Sequence, residues 1–173
     1  MKPRWYRTGL ILACSLMAPA VWAAQQKKVT GKVVKVVDGD TFDLLDGKTT
    51  YRVRMYGIDA PEKKQDFGNR SKDALGEACK QQPITIVIRN KDRYQRFVAD
   101  AYDAKGQRIN VVMVKQGYAW YYEKFSPKDK ELADAQQYAQ KHRLGLWQQS
   151  KPIAPWDWRQ LKKEEREQLK VAS

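Results

Sequence analysis

The sequence predicts a protein of the α+β class, mainly β, in which a five-stranded Greek-key barrel of the OB type is accompanied by three helices. Two observations favour this class. Short runs rich in β-branched and aromatic residues are separated by turn residues, and one helical pattern interrupts them while others follow the last run. The chain of 173 residues, 42% of them hydrophobic, is long enough for one globular domain with a short extension.

The first three strands are predicted to form a β-meander. Residues 28–37 and 41–45 flank the turn "DGD" of the stretch "DGDT". Asp-Gly is a preferred pair for a tight hairpin turn because both residues adopt positive φ at low cost. A second such pair, at positions 46 and 47, leads into a third strand over residues 49–58. The first turn does not require Asp40, so this second carboxylate indicates another role.

Two further strands and three helices complete the pattern. They are a helix over residues 69–81, strands over 84–90 and 97–102, and helices over 108–116 and 126–145. Pro83 follows the first helix, and Gly117 is the expected residue just past the end of the second. Ser126 is predicted to be the N-cap of the last helix, with Pro127 at its first position.

Residues 1–23 are predicted to be a signal peptide. Lys2, Arg4 and Arg7 precede the apolar run "GLILACSLMAPAV", which is too short to span a bilayer, and small residues favour cleavage after Ala23. We therefore expect an exported protein, periplasmic or secreted, with no transmembrane segment after cleavage.

The mature chain divides into three parts. Residues 24–28 are a short linker, residues 29–148 form the barrel domain, and residues 149–173 are a charged C-terminal tail that contains "PWDW" and "LKKEEREQLK". We expect Trp156 and Trp158 to dock on the domain.

The charge and the residue types restrict the function. The 33 Lys and Arg residues outnumber the 20 Asp and Glu residues, for a net charge of +13, and +10 remains without the three basic residues of the signal peptide. Such a chain attracts polyanions, either nucleic acid or an anionic membrane, although a solvated basic surface without a partner is the alternative. With His142 as the only histidine and Cys79 as the only mature cysteine, structural zinc, a His-based triad and an internal disulfide are excluded. Cys79 is expected to be a small buried hydrophobe.

A second group of acids follows the third strand, in "RMYGIDAPE". Asp59 and Glu62 flank Ala60 and Pro61, and the proline holds this bend extended. If the second and third strands pair, Asp40 and Asp59 lie on neighbouring loops. Two carboxylates and the Ala60 carbonyl are hard oxygen ligands suited to Ca²⁺. On spacing alone, acids that merely form surface turns are the commoner interpretation.

Arginines accompany these acids. Arg52 and Arg54 lie on one face of the third strand, with Arg54 near enough to reach the Asp59 loop. Arg96 follows at the start of the fifth strand. Guanidinium groups bind phosphate oxygens in a bidentate manner and neutralise charge that develops on a phosphorane. Taken together, the acids and arginines have every part that phosphodiester hydrolysis requires.

In order and spacing, these motifs resemble the staphylococcal-nuclease-like (thermonuclease) family. The resemblance rests on "DGDT", on an arginine five residues before the aspartate of "IDAPE", and on "DRYQR". It extends from about residue 29 to residue 147 and includes "VKQGYAW" and "GLW". Each motif is short, but their joint order is specific. The resemblance implies a five-stranded OB barrel and Ca²⁺-dependent cleavage of DNA and RNA.

The resemblance also assigns roles to residues. It implies that Asp40, Asp59 and the Ala60 carbonyl bind the metal, that Glu62 activates or orients the attacking water, and that Arg54 and Arg96 bind the phosphate. Asp38 is expected to lie behind the ligands without binding the ion. The sequence departs from the family pattern at two positions: Ala60 stands where the best-known member has threonine, and Gln95 replaces a glycine. The candidate nucleic-acid contacts are Arg93, Tyr94, Tyr121 and Tyr122, whereas Tyr118 and Trp120 are expected to pack under the barrel.

We therefore expect an exported Ca²⁺-dependent endonuclease that cleaves by in-line attack of water, acting as a monomer without a stable protein partner. One alternative is an OB-fold module that binds nucleic acid without cleaving it. Another is a basic protein of the envelope or membrane surface, but the tail mixes both charge signs and has no apolar helical face.

Overall fold

A computed structural model describes residues 26–166, so the predicted signal peptide lies outside the described residues. The strands are β1 (Lys28–Asp38), β2 (Thr41–Asp46), β3 (Thr49–Met55), β4 (Ile58–Asp59), β5 (Ile84–Lys91), β6 (Phe97–Tyr102) and β7 (Trp120–Tyr121). Five of them close a barrel in the order β1-β2-β3-β6-β5. Only β3 and β6 pair in parallel. The predicted five-stranded OB-type α+β fold is confirmed.

Within residues 26–166, three α-helices accompany the barrel, as predicted, and a fourth short α-helix lies in the tail. They are α1 (Gly68–Ala78), α2 (Ile109–Lys115), α3 (Lys130–Lys141) and α4 (Pro155–Trp158). The expected cap of α3 is wrong. Asp129 is the N-cap and accepts a hydrogen bond from the Leu132 amide at 3.2 Å. Ser126 lies three residues earlier, where its hydroxyl donates to the Tyr122 carbonyl.

The core lies inside the barrel and under α1. Alternate residues of the strands point inward, so that Phe42, Leu44, Val53 and Met55 are fully buried. Cys79, just past α1, is buried as predicted, and this burial raises the pKa of its thiol to about 12.

The third strand ends earlier than the sequence indicates. It stops at Met55, and Gly57 adopts a left-handed φ of +72° in the turn that follows. A side chain at position 57 would collide with Leu132 and Ser126. The chain then forms β4, which pairs antiparallel with β7 in a separate small sheet. This break places Asp59 beside the aromatic residues of β7.

The turn between β1 and β2 also differs from the expected hairpin. Neither Asp38 nor Gly39 adopts a left-handed φ, whereas Gly47 in the next turn does, at +55°. Glycine is required at position 39 for a different reason, because a Cβ there would lie 2.8 Å from the Ala60 Cβ and still closer to the Ser71 hydroxyl. The turn is thus pressed against the loop that carries Asp59 and Ala60.

We expect Gly39→Ala to lower the free energy of unfolding by about 1–3 kcal/mol, because the added methyl group overpacks this contact. The measurement is equilibrium unfolding in urea. Gly76→Ala is the matched control, since nothing lies within 4 Å of a Cβ at that position of α1. It should stabilise the protein by about 0.5–1 kcal/mol. A Gly39→Ala protein as stable as the wild type would contradict the close packing of the two loops.

The described part of the tail packs on the domain. Trp158 is only 4% exposed, Trp156 stacks on Tyr122, and the Gln65 side-chain amide donates to the Ile153 carbonyl at 2.7 Å. The expected docking of the two tryptophans is confirmed. Between residues 26 and 166, no helix has the length and apolar character needed to cross a membrane.

Candidate active site

One guanidinium joins the two predicted metal ligands. In the β2–β3 ladder, Thr41 is paired with Arg54, and this pairing places the start of β2 beside the end of β3. Arg54 Nη1 forms an ion pair with Asp40 Oδ2, and its Nη2 lies 2.8 Å from Asp59 Oδ1. The acids of the first turn and of β4 therefore converge on the same side of the barrel, as the meander predicts.

Asp40 is held by several donors although it is only 5% exposed. Its Oδ2 accepts a hydrogen bond from the Ala60 amide at 2.7 Å, and its Oδ1 accepts one from the Thr41 hydroxyl at 3.0 Å. Burial alone would raise the pKa of Asp40, but the Arg54 charge and these hydrogen bonds lower it below the ordinary value. Asp40 is therefore a preformed carboxylate.

Asp38 lies behind this carboxylate at the start of the same turn. It contacts the turn through the Asp40 amide, which lies 3.3 Å from Asp38 Oδ1. Burial, followed by repulsion from the charge of Asp40, raises the pKa of Asp38 to about 7. Two neighbouring acids thus differ in their tendency to ionise, because Arg54 favours the charged form of Asp40 more strongly.

Asp59 is 1% exposed and is shared by two arginines. Arg54 reaches its Oδ1, and the Arg159 Nη2 lies 2.6 Å from its Oδ2. Burial raises the pKa of Asp59, while hydrogen bonds and charge from both guanidiniums oppose that rise.

Arg159 is the residue of this site that sequence analysis missed. Besides Asp59, it contacts Glu62, with 2.8 Å between Nη1 and Oε1. It lies 100 and 97 positions from these partners, in a tail without a recognisable motif. The sole signal in the sequence is its place beside two tryptophans in "PWDWR". The hydrogen bonds that Arg159 donates to Asp59 and Glu62 raise its pKa, so its guanidinium is a permanent cation here.

The donor set fits a hard cation. Two carboxylates from neighbouring loops converge beside a buried backbone segment at Ala60, and all these donors are oxygen, which Ca²⁺ prefers. Among residues 26–166, no group of three Asp, Glu, His or Cys side chains is arranged to hold a metal. A cation would therefore need backbone and water oxygens in addition to Asp40 and Asp59.

Arg96, the second predicted phosphate ligand, is paired with an acid outside the Asp40–Asp59 cluster. Its Nε is 2.7 Å from Asp92 Oδ2, and no ion pair within the described residues joins it to Asp40, Asp59 or Glu62. It belongs to the exposed turn "DRYQR".

The same turn carries the candidate contacts Arg93 and Tyr94. Tyr94 is 64% exposed, with the Arg93 and Arg96 guanidiniums over its ring. Gln95, which stands where the family has glycine, adopts a left-handed φ of +63°. The turn thus keeps a glycine-like backbone and presents arginine and tyrosine to solvent.

The two tyrosines of "WYYEKF" have different environments. Tyr121 is buried, and its hydroxyl donates to the Ser126 carbonyl at 2.6 Å. Tyr122 is half-buried and stacks on Trp156, with 4.8 Å between ring centroids and 10° between planes. Trp120 packs against Trp147 at 4.3 Å. Of the two tyrosines, Tyr122 keeps more surface for a nucleic acid.

Comparison with known proteins identifies the family. The model of the family described as "Staphylococcal nuclease homologue" matches residues 52–149. The chain belongs to this family. It is 41% identical over 158 residues to an uncharacterized endonuclease of Haemophilus influenzae, a match that covers 91% of this chain and 88% of the relative.

Two further relatives of the staphylococcal nuclease homologue family carry nuclease names. A micrococcal nuclease of Shigella flexneri is 35% identical over 142 residues, which cover 77% of this chain and 82% of that protein. An uncharacterized endonuclease of Escherichia coli O157:H7 is 37% identical over 141 residues, with 82% and 92% covered. The family and these relatives support a nuclease function, which implies a nucleic acid substrate and a phosphodiester hydrolase.

Proposed function

We propose that this protein is an exported Ca²⁺-dependent endonuclease that hydrolyses phosphodiester bonds of DNA and RNA by in-line attack of water. The observation that carries the proposal is the pair of buried carboxylates, Asp40 and Asp59, joined by Arg54. The proposed export, to the periplasm or the medium, is supported by the pattern of residues 1–23.

Asp40, Asp59 and the Ala60 carbonyl are the proposed cation ligands. When bound there, Ca²⁺ would supply a Lewis acid that polarises a phosphate oxygen. Asp40 is suited to this role because Arg54, Ala60 and Thr41 keep it ionised and fixed, so little ordering remains when the ion binds.

Arg54 and Glu62 are the proposed groups that act on substrate and water. Arg54 is held by two carboxylates, so its guanidinium is positioned before a phosphate arrives. Glu62 is partly exposed at the edge of the same cluster, where an attacking water has access. Arg96 is the proposed second phosphate ligand, and its Nε pairs with Asp92.

The proposed function is tested with purified mature protein on plasmid DNA, single-stranded DNA and RNA, with Ca²⁺ and with chelator. We expect cleavage that requires Ca²⁺ and that falls about a hundredfold in Glu62→Gln, because the amide can neither accept the proton nor orient the water as well. Glu77→Gln is the control, since within residues 26–166 the exposed Glu77 of α1 forms an ion pair only with Lys80. It should cleave like the wild type.

Retention of DNA without cleavage, with or without Ca²⁺, would instead support a non-catalytic OB-fold module. Cleavage that is unaffected by chelator would contradict the proposed cation ligands.

A further inference from the structure

The C-terminal segment places a guanidinium directly on the proposed cation site. Arg159 Nη2 lies 2.6 Å from Asp59 Oδ2, while its Nη1 lies 3.3 Å from Asp59 Oδ1 and 2.8 Å from Glu62 Oε1. These partners are a proposed ligand of the ion and the proposed water-positioning residue. Arg159 therefore contacts the residues that are proposed to bind the ion and to position the water.

Both oxygens of Asp59 are occupied by these contacts. Oδ1 accepts from Arg54 at 2.8 Å and from Arg159, and Oδ2 accepts from Arg159. A calcium ion binds carboxylate oxygens at about 2.3–2.6 Å and would lie beside a guanidinium whose charge has the same sign. Among the described residues Arg159 is the only donor to Oδ2, so binding of the ion at Oδ2 requires Arg159 to move.

The segment that carries Arg159 is firmly attached. Trp158 is buried. Gln65 links the tail to the loop that carries Glu62, because its side-chain amide donates to the Ile153 carbonyl and its Oε1 accepts from the Glu62 amide at 3.1 Å. The Arg159 side chain itself is 43% exposed. It can rotate into solvent without disturbing the buried anchor.

The charges of the cluster explain why the Arg159 guanidinium lies beside Asp59 and Glu62. Arg54 pairs with Asp40 and Asp59, and Arg159 pairs with Asp59 and Glu62, so Arg54 alone would leave these three acids undercompensated. A second guanidinium offsets the repulsion among the carboxylates, as a bound divalent cation would.

We propose that Arg159 is a built-in competitor of the divalent cation at Asp59 and Glu62, so that binding of Ca²⁺ releases the guanidinium of the C-terminal segment. This inference rests on the proposed cation ligands. By linkage, the affinity for the ion is reduced by the fraction of molecules in which Arg159 occupies the acids, and it rises when that contact is removed.

The test is the Ca²⁺ affinity of the mature protein without nucleic acid, measured by isothermal titration calorimetry on the wild type, Arg159→Gln and Lys162→Gln. Lys162 is the matched control, because it is an exposed basic residue three positions further along the tail whose side chain forms no ion pair in the described structure. We expect Arg159→Gln to bind Ca²⁺ about tenfold more tightly than the wild type, and Lys162→Gln to bind within about twofold.

Equal affinities of Arg159→Gln and Lys162→Gln would overturn this inference and leave the proposed function intact. Absence of Ca²⁺ binding in all three proteins would overturn both. Circular dichroism establishes whether Arg159→Gln is folded. If it is not, Arg159→Lys replaces it, since lysine keeps the charge but loses the bidentate contact. Affinity tighter than wild type then supports the competition, and wild-type affinity overturns it.

Discussion

Arg54→Met is expected to reduce cleavage by at least about a thousandfold and to lower the free energy of unfolding by about 3–5 kcal/mol. The loss of stability follows from burial. Arg54 is the common partner of Asp40 and Asp59, both nearly inaccessible to water, and its removal leaves two carboxylates undercompensated in the protein interior. The loss of cleavage follows from the missing guanidinium, whose contact strengthens as charge develops on the phosphate.

Arg52→Met is the matched control for this prediction. Arg52 lies two residues earlier on β3 and pairs with Asp43 at 2.8 Å, but its side chain is largely exposed. Asp43 is buried and accepts two hydrogen bonds from Arg52, so the loss of the same charge here should lower stability less than Arg54→Met does, while cleavage should stay close to the wild type. The measurements are initial rates on single-stranded DNA and urea unfolding, both at pH 7.

A second variant separates structural support from catalysis. Arg54→Lys keeps a cation between the acids but loses the planar fork that reaches both of them. It should recover much of the stability and little of the activity. If Arg54→Met unfolded at the same urea concentration as the wild type, the guanidinium would not be the main partner of the buried acids.

The barrel was predictable because its signals are local. Alternating strand residues such as Phe42 and Leu44 point inward, and the pairing of β2 with β3 follows from a short connection with Gly47 at positive φ. Once these two strands pair, Asp40 and Asp59 must approach each other. The convergence of the acids therefore follows from register rather than from any long-range contact.

The missed features depend on contacts between distant residues. The end of β3 at Met55 is set by Gly57 and by the pairing of β4 with β7, which lie far apart in the chain. The glycine at position 39 is required by Ser71 on α1 rather than by the φ of the turn. Arg159 reaches the site because Trp158 is buried. None of these contacts leaves a periodic pattern.

Asp40→Asn is expected to weaken Ca²⁺ binding at least about a hundredfold and to reduce cleavage by about a thousandfold or more. The change removes one of two carboxylates that the site offers to the cation. It also disturbs the surroundings, because Arg54 forms an ion pair with Asp40 Oδ2 and the Ala60 amide donates a hydrogen bond to the same oxygen. An amide nitrogen at that position would face two donors, and an amide oxygen there carries no charge to balance Arg54.

Asp38→Asn is the matched control, since it removes a carboxylate from the same turn two residues earlier. Asp38 contacts Asp40 through the Asp40 amide and through a side-chain hydrogen bond, and burial together with the charge of Asp40 already raises its pKa to about 7. Because burial and the charge of Asp40 already disfavour the ionised form of Asp38, its replacement by asparagine should lower Ca²⁺ affinity by less than about tenfold. Calorimetric titration of both variants decides between the two acids. Equal losses of Ca²⁺ affinity would mean that the turn attracts the ion through the sum of its charges. A loss confined to Asp40→Asn would identify Asp40, which Arg54 and Ala60 hold in place, as the ligand in this turn.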